Sequence, residues 1–471
     1  MILAIDQGTT GTTCLVVDEG LRITGRGYRE LRQSYPQPGW VEHDPDEILR
    51  TVHEAAADAL RDAGIAAADL VATGITNQRE TTVVWGRDGR PLHPAIVWQD
   101  RRTAERCREL PADLIRERTG LVPDPYFSAT KLEWLLARVE GDCLFGTVES
   151  WLAWNLTGGV AHVTDPTNAS RTMLARLDPV EWDPELLDLF GVPPGVLPRI
   201  VPSSGVVGEA QIGGALVPLA GLAGDQQAAL FGQACFGPGD AKATFGTGSF
   251  VLANQGEEGG PPPHGILRTA AAQPGVTALE GAVFITGAAV QWLRDGLGII
   301  AAAAETEALA RSIDSTGGVH FVPALTGLGS PYWDADARGL ISGLTRGTGR
   351  AEIARAALEA IAFQTADVVA AMQLPVPALR ADGGATVNAW LMQFQADILG
   401  MPVEVARDSE MTALGAAALA GLAVGVWSGL DEVAAAWRLG ARYEPAMSRD
   451  EAAERLAGWH AAVERARARL R

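Results

Sequence analysis

The sequence predicts an α/β protein built from two similar domains that face each other, and three observations support this. The chain has 471 residues, which is more than one hydrophobic core usually serves. Each half opens with a short apolar strand, a turn of glycine and threonine, and a second strand; the turns are residues 8–11 and 246–248. Each half then continues with segments whose apolar residues recur at helical spacing.

In the first half, the order of elements follows from local signals. Strands are predicted at residues 12–17, which are β-branched, and at 21–28, with an Asp-Glu-Gly turn between them. A helix is predicted from about residue 44 to 63, because an aspartate cap is followed by proline at the first helical position. Residues 70–76 form a further buried strand, which leads into a polar Asn-Gln-Arg-Glu segment.

The second half repeats this order more weakly. Strands are predicted at residues 241–245 and 249–254, on either side of the second Gly/Thr turn. A long helix is predicted at residues 352–372, whose apolar stripe belongs to the core.

A hinge between the halves is indicated by the Phe-Gly-Pro-Gly sequence at residues 236–239. We therefore expect a domain boundary near Gln233, which divides the chain into residues 1–233 and 234–471.

Composition and charge exclude several classes of partner. Lysine and arginine number 38 and aspartate and glutamate 57, which gives a net charge of −19. This excess of acid disfavours nucleic acids and anionic membranes as partners. The most apolar stretch, residues 413–427, is too short to span a bilayer. The four cysteines are scattered and the amino terminus resembles no signal peptide, so we expect a cytoplasmic protein.

The two Gly/Thr turns suit phosphate oxygens, since each presents consecutive backbone N–H groups with hydroxyls beside them. Lys131 and Lys242 are the only lysines, and neither follows a glycine, so a Walker-type phosphate loop is absent. A phosphate site would then depend on amides, threonine hydroxyls and a metal ion, for which Asp6 and Asp225 are suitable carboxylates. The alternative for an isolated aspartate after a strand is a turn or cap residue.

Several motifs, taken in order, cover nearly the whole chain. They are Asp6-Gln-Gly-Thr-Thr10, Gly74-Ile-Thr-Asn-Gln-Arg-Glu80, Trp98-Gln99 before Arg101-Arg102, Asp124-Pro-Tyr-Phe127, Ala223-Gly-Asp-Gln-Gln-Ala-Ala229, Gly246-Thr-Gly248, Gly327-Leu-Gly-Ser-Pro-Tyr-Trp-Asp334, Asp382-Gly-Gly384 and Thr412-Ala-Leu-Gly415. Together they resemble the glycerol kinases of the FGGY carbohydrate kinase family. The sequence departs from the family at Thr13, where relatives often have an arginine that reaches the nucleotide.

The resemblance implies two actin-like, ribonuclease H-like domains with the active site in the cleft between them. It implies phosphorylation of glycerol by ATP with Mg²⁺, Asp225 as the catalytic base, and Asp6 and Asp225 as metal-site carboxylates. The positions that match the family's glycerol contacts are Arg79, Glu80, Trp98, Tyr126, Asp225, Gln226 and Phe250. The positions that match its nucleotide contacts are Thr9, Thr10, Gly11, Thr247, Gly287, Gln291, Gly384 and Gly415. A homodimer or homotetramer is compatible with this.

The residue types support this assignment on chemical grounds. A triol presents donors and acceptors, and Arg79 can donate, Glu80 can accept and Gln226 can do either. Groups left unpaired would penalise a substrate that lacks those hydroxyls. Three alternatives remain open: an FGGY kinase for another polyol or a ketose, an actin-like nucleotide switch without a small-molecule acceptor, and a non-catalytic sensor, which the presence of both Asp6 and Asp225 disfavours.

Overall fold

A computed structural model describes residues 1–468, so the last three residues of the expected second domain lie outside the described part. The strands of the first half are β1 (Ile2–Gln7), β2 (Gly11–Val17), β3 (Ile23–Glu30), β4 (Glu42–His43), β5 (Ala72–Asn77), β6 (Val83–Gly86), β7 (Ala95–Ile96), β8 (Cys143–Gly146), β9 (Val163–Thr164), β10 (Ala175–Leu177), β11 (Val180–Trp182), β12 (Arg199–Ile200), β13 (Ser204–Ile212) and β14 (Ala215–Gly224). Those of the second half are β15 (Ala241–Phe245), β16 (Ser249–Gly256), β17 (Leu267–Ala270), β18 (Thr277–Val283), β19 (His320–Val322), β20 (Leu340–Ser342), β21 (Leu379–Asp382), β22 (Val403–Ala406) and β23 (Leu439–Tyr443).

The helices of the first half are α1 (Pro45–Ala63), α2 (Ala104–Arg108), α3 (Ala112–Thr119), α4 (Ser128–Leu136), α5 (Val148–Leu156), α6 (Pro166–Ala169), α7 (Pro184–Phe190) and α8 (Asp225–Gly232). Those of the second half are α9 (Gly287–Asp295), α10 (Glu305–Arg311), α11 (Arg350–Met372), α12 (Ala389–Leu399), α13 (Met411–Ala423), α14 (Leu430–Ala436) and α15 (Arg449–Arg467). Within residues 1–468, no helix is both long enough and apolar enough to cross a membrane.

The first large sheet has the strand order β13-β14-β5-β1-β2-β3. Strands β1, β2 and β3 form an antiparallel meander, whereas β5 and β14 run parallel to β1. In the register, Gln7 lies beside Asn77, and Asn77 lies beside Gly224. Because these three strands end at one edge of the sheet, the residues that follow them are brought together there.

The second large sheet repeats this arrangement, with the order β17-β18-β16-β15-β21-β22-β23. Strands β15, β16 and β18 are antiparallel, and β21 and β22 run parallel to β15. Thr244 pairs with Asp382 near the ends of their strands, so the turn at 246–248 and the residues after Asp382 share an edge. The prediction of two similar, actin-like α/β domains is therefore confirmed.

The predicted elements are found with small shifts at their ends. Helix α1 spans Pro45–Ala63, and the Asp44 carboxylate accepts a hydrogen bond from the Asp46 amide at 3.0 Å, as expected of an aspartate cap. The helix ends at Gly64, whose φ of 68° is the left-handed conformation that glycine tolerates. The long helix predicted at 352–372 begins two residues earlier, at Arg350.

Helices α8 and α13 cross at the junction of the two halves, where glycines allow their backbones to approach. A Cβ atom on Gly415 would lie 1.8 Å from the Ala228 carbonyl oxygen, and one on Gly232 would lie 2.1 Å from that of Met411. Helix α13 also packs on the first sheet, since a Cβ on Gly74 would lie 2.2 Å from the backbone of Ala416. A helix from the second half thus covers the sheet of the first, and the boundary near residue 233 stays a prediction.

Candidate active site

The first Gly/Thr turn is held by side chains from neighbouring strands. The Gly8 amide donates to the Gly11 carbonyl at 2.9 Å. The Gln78 side-chain amide donates to the Gly8 carbonyl at 3.2 Å, and Trp98 Nε1 donates to Thr9 Oγ1 at 2.8 Å. Gln78 follows strand β5 of the same sheet, whereas Trp98 follows β7 of the small β4-β7 sheet. The two contacts hold the turn while Thr10 remains exposed.

The second turn is supported by the start of helix α9. The Gly246 amide donates to the Gly248 carbonyl at 2.9 Å, closing the turn. The amides of Gly287 and Ala288 donate to the carbonyls of Gly246 and Thr247 at 3.1 and 3.0 Å. The Gly287 amide is therefore already hydrogen-bonded. A role of Gly287 in ligand binding would depend on how closely its backbone can approach the ligand.

Asp225 is the first residue of helix α8 and lies at the edge where β14 ends. Arg79 Nε is 3.1 Å from Asp225 Oδ1, and the Asp225 side chain keeps 30% of its surface accessible. Burial raises the pKa of Asp225, while the charges of Arg79 and Lys242 act to lower it. A partly accessible carboxylate with a raised pKa is suited to accept a proton from a hydroxyl.

Four buried charges form a closed ring beside Asp225; we call Arg79, Glu80, Arg171 and Glu280 the charge ring. The two Nη atoms of Arg79 donate to the two oxygens of Glu280 at 2.6 and 2.8 Å. Arg171 Nη2 lies 3.2 Å from Glu280 Oε1, and Arg171 Nε donates to Glu80 Oε1 at 2.6 Å. The ring closes between Arg79 Nε and Glu80 Oε1 at 3.8 Å. Its charges alternate in sign and sum to zero.

Ionisation of the charge ring follows from this pairing. Burial alone raises the pKa of Glu280, but the guanidinium groups of Arg171 and Arg79 outweigh it and lower that pKa to about 2. Burial acts to lower the pKa of Arg79, yet the charges of its neighbours, Glu280 first, hold it well above the usual value. Both groups therefore stay charged at neutral pH.

Aromatic side chains border the charge ring. Tyr126 OH accepts a hydrogen bond from Arg79 Nη2 at 3.3 Å. The Trp98 and Tyr126 rings meet edge to face at 5.6 Å between centroids, and the Arg79 guanidinium lies 5.9 Å from the centroid of Phe250. These aromatic rings lie on one side of the polar groups, and we call this set of polar and aromatic side chains the pocket. Such a combination of polar and apolar contacts suits a short polyol.

Lys242 reaches the same place from strand β15 of the second sheet. Its ammonium donates to Gln226 Oε1 and, at 2.9 Å, to Thr244 Oγ1. Burial lowers the pKa of Lys242 to about 8, although the charges of Asp382 and Asp225 oppose this shift. The sequence showed only that neither lysine belongs to a Walker-type loop; the structure puts Lys242 in contact with a predicted substrate residue.

Asp6 lies near the end of strand β1, in a region of negative charge. Burial, followed by the charges of Asp225 and Glu410, raises the pKa of Asp6 to about 8. A divalent cation would relieve this repulsion, and carboxylates are ligands that Mg²⁺ prefers. Among residues 1–468, no group of three or more histidine, cysteine or acidic side chains is arranged to hold a metal by itself. A cation here would therefore also need phosphate oxygens and water.

The structure gathers most of the predicted site residues and separates one from them. The pocket described above contains the seven residues predicted to contact the acceptor: Arg79, Glu80, Trp98, Tyr126, Asp225, Gln226 and Phe250. Gln291 and Gly384 are exposed near the second turn, and Gly11 is buried against the Tyr28 ring. Gly415 lies instead in the buried crossing of α8 and α13, so its evident role is in packing, and its contact with a nucleotide stays a prediction.

Sequence reasoning missed Arg171, Glu280 and the position of Lys242. A signal was present for two of them. Glu280 and Lys242 are the lone charges in the apolar strands β18 and β15, and a charge in a buried strand requires a partner. Arg171 follows a short helix and has no comparable signal.

The fold and the site define a class: a two-domain, actin-like phosphotransferase. Its polar residues contact the first Gly/Thr turn through Trp98 and the strand before the second turn through Lys242. The model of the N-terminal domain of the FGGY family of carbohydrate kinases matches residues 1–232, and that of the C-terminal domain matches residues 241–424. The chain belongs to the FGGY family of carbohydrate kinases.

Known proteins match this chain along nearly its whole length. The chain is 56% identical to the glycerol kinase of Aromatoleum aromaticum, covering 99% of this chain and 98% of that protein. It is 54% identical to glycerol kinase 2 of Thermotoga maritima, covering 98% of both. Among solved structures, the glycerol kinase of Plasmodium falciparum with ADP superposes with a TM-score of 0.92 at 36% identity, covering 100% of this chain and 98% of that one.

Proposed function

We propose that this chain transfers the γ-phosphoryl group of ATP to a terminal hydroxyl of glycerol, giving sn-glycerol 3-phosphate. The observation that carries the proposal is the contact between Asp225 and Arg79 in a pocket also lined by Tyr126, Trp98 and Gln226. Full-length relatives named glycerol kinase support the choice of acceptor. Glycerol is small enough for a pocket whose apolar side consists of a few aromatic rings.

Asp225 acts as the base in this proposal. It accepts the proton of the attacking hydroxyl as the new O–P bond forms, while ADP leaves with the electrons of the broken P–O bond. Arg79 and Gln226 bind and orient the acceptor hydroxyls, and the Trp98 and Phe250 rings contact its carbons. Most of the acceleration in such reactions comes from positioning and electrostatics, so closure of the two domains matters as much as the base.

For the nucleotide, we propose contacts with both turns and the helices behind them. The residues assigned are Thr9, Thr10, Gly11, Thr247, Gly287, Gln291, Gly384 and Gly415. Asp6 and Asp225 would hold Mg²⁺ together with phosphate oxygens and water. When bound, Mg²⁺ supplies positive charge that offsets charge on the phosphates.

We further propose that the acceptor and base belong to residues 1–233, that residues 234–471 bind the nucleotide, and that the enzyme works in the cytoplasm. The four cysteines are buried free thiols, which suits a reducing compartment. A homodimer or homotetramer is part of this proposal and is tested by light scattering.

The experiment is a coupled assay of ADP release from Mg·ATP, with glycerol and a panel of larger polyols and ketoses as acceptors. We expect glycerol to stimulate ADP release most strongly and to yield glycerol 3-phosphate, identified by mass spectrometry. Faster turnover of another polyol or a ketose would assign the chain to a different member of the family. ATP hydrolysis that no acceptor stimulates would favour a nucleotide switch.

A further inference from the structure

Glu280 lies in the second half of the chain, but its carboxylate pairs with arginine side chains of the first half. It lies in strand β18 of the second sheet, and none of its side-chain surface is exposed. Both of its oxygens accept hydrogen bonds from Arg79, which follows strand β5 of the first sheet. Such a two-bond contact fixes the plane of the guanidinium as well as its position.

Charge balance shows what Glu280 contributes. The first sheet and its helices supply three members of the charge ring, Arg79, Arg171 and Glu80, which carry one net positive charge. A net charge is costly in a buried site unless it is paired. Glu280, from the second sheet, supplies the negative charge that balances the ring. Asp225 also offsets positive charge at 3.1 Å from Arg79, but it keeps 30% of its side-chain surface accessible, whereas Glu280 is a counter-charge with no exposed surface.

The orientation of Arg79 has a consequence for the base. With its two Nη atoms turned towards Glu280, Arg79 presents Nε to Asp225 Oδ1 at 3.1 Å. Without Glu280, the Nη atoms would keep only their longer hydrogen bonds, to Gln227 at 3.2 Å and to Tyr126 at 3.3 Å, and could turn to Asp225 or Glu80. That rotation would move the Asp225 carboxylate away from the acceptor hydroxyl and engage it in a tighter ion pair.

We infer that Glu280 is a positioning residue: by holding Arg79 from the opposite domain, it sets the geometry of Asp225 and makes the base competent only when the domains are closed. This inference rests on the proposed role of Asp225 as the base. A purely structural ion pair is the alternative, in which Glu280 only stabilises the docking of the two sheets.

The test compares Glu280→Gln, which keeps the side-chain shape but removes the charge, with a matched control. Asp178→Asn is the control, because Asp178 in the first half also pairs with an arginine of the second half, Arg268, yet lies outside the pocket. For Glu280→Gln we expect kcat with glycerol to fall by about 100-fold, the scale of a misplaced catalytic group. The dissociation constant of ATP, measured by calorimetry, should not change. The control should keep the wild-type kcat.

A double-mutant cycle separates the two roles further. In an Arg79→Lys background, which cannot form the two-bond contact, adding Glu280→Gln should reduce kcat little more, because Glu280 acts through Arg79. Glu280→Asp, with the charge retained on a shorter side chain, should have an intermediate kcat. It also serves as the test variant if Glu280→Gln does not fold.

Three results would overturn the inference: a wild-type kcat in Glu280→Gln, losses of kcat and ATP affinity in equal measure, or additive effects of the two substitutions. Failure of the proposed function is recognised separately, in the wild-type protein, as a preference for another acceptor. The Glu280 comparison is then made with that acceptor.

Discussion

The two Gly/Thr turns occupy equivalent places in equivalent sheets, yet different groups surround them. Two residues before the first turn is Asp6, and two residues before the second is Thr244. Trp98 and Gln78 hold the first turn from its own domain, whereas helix α9 holds the second through its first amides. The first turn therefore follows a carboxylate, and the second follows a hydroxyl that accepts from the ammonium of Lys242, with Asp382 on the neighbouring strand.

The two halves therefore share a fold but differ in the side chains that surround their turns. The backbone of each half provides a turn and an edge where parallel strands end. The side chains at that edge then differ: Asp6 precedes the first turn, whereas Thr244 precedes the second and lies beside Lys242 and Asp382. Glu280 is an acid that the second half supplies to the first.

The largest effect on kcat is expected for substitution of Asp225, the proposed base in the first half. Asp225→Asn keeps the side-chain shape and removes the proton acceptor, so kcat should fall by roughly 10²–10⁴-fold or more. Nucleotide affinity, measured by calorimetry, should change little. Glu410→Gln is the comparison substitution, because Glu410 also contributes negative charge near Asp6 but pairs with Arg26 and is not a proposed base. It should cost about tenfold at most; equal losses in the two variants would contradict the assignment of the base.

The next test compares Asp6 and Thr244, because each lies two residues before the Gly/Thr turn of its own half. Asp6→Asn should lower kcat on the order of 10²-fold, because a carboxylate proposed to hold the Mg²⁺ that offsets phosphate charge is lost. Thr244→Val removes one hydrogen bond to Lys242 and should cost about tenfold or less. Steady-state kinetics with varied Mg²⁺ measure both. A larger loss for Thr244→Val would mean that the second turn, and not the first, carries the main phosphate contacts.

The fold and the outline of the site could be predicted from sequence because their signals are local. The cap at Asp44, the Gly/Thr turns and the Asn-Gln-Arg-Glu segment are each contained in a few consecutive residues. The charge ring has no such signal, because Arg79 and Glu280 are 201 residues apart and meet only when two sheets dock. A lone charge in an apolar strand indicates a buried partner, but it does not say which one.

Gly384 and Gly415 differ in how closely neighbouring atoms approach them, so substitutions at the two positions should differ in their effect on stability. Both match nucleotide positions of the family, but a Cβ on Gly384 would meet open space, and one on Gly415 would lie 1.8 Å from the Ala228 carbonyl oxygen. Gly415→Ala should therefore lower the free energy of unfolding by about 1–3 kcal/mol, as overpacking does. Gly384→Ala should leave it unchanged. Chemical denaturation measures both, and a stable Gly415→Ala protein would contradict the tight crossing of α8 and α13.

The smallest effect concerns two histidines, one in each half, whose pKa values shift in opposite directions. Burial lowers the pKa of His43, beneath the first turn, to about 4. In the second half, a hydrogen bond to Asp367 raises the pKa of His460, opposed by partial burial and assisted by the nearby charges of Asp367 and Glu464. Asp367 Oδ2 also accepts from Tyr332 and Trp459.

The sign of the pH effect follows from the raised pKa of His460. Protonated His460 stabilises the fold fully below its unfolded pKa, near 6.5, and this contribution is lost as pH rises through the higher folded value. His460→Gln should therefore lower the thermal midpoint more at pH 6 than at pH 8. The side chain is 53% exposed, so screening limits the difference to about one degree. An equal decrease at both pH values would mean that the His460–Asp367 contact stabilises helix α15 without its charge.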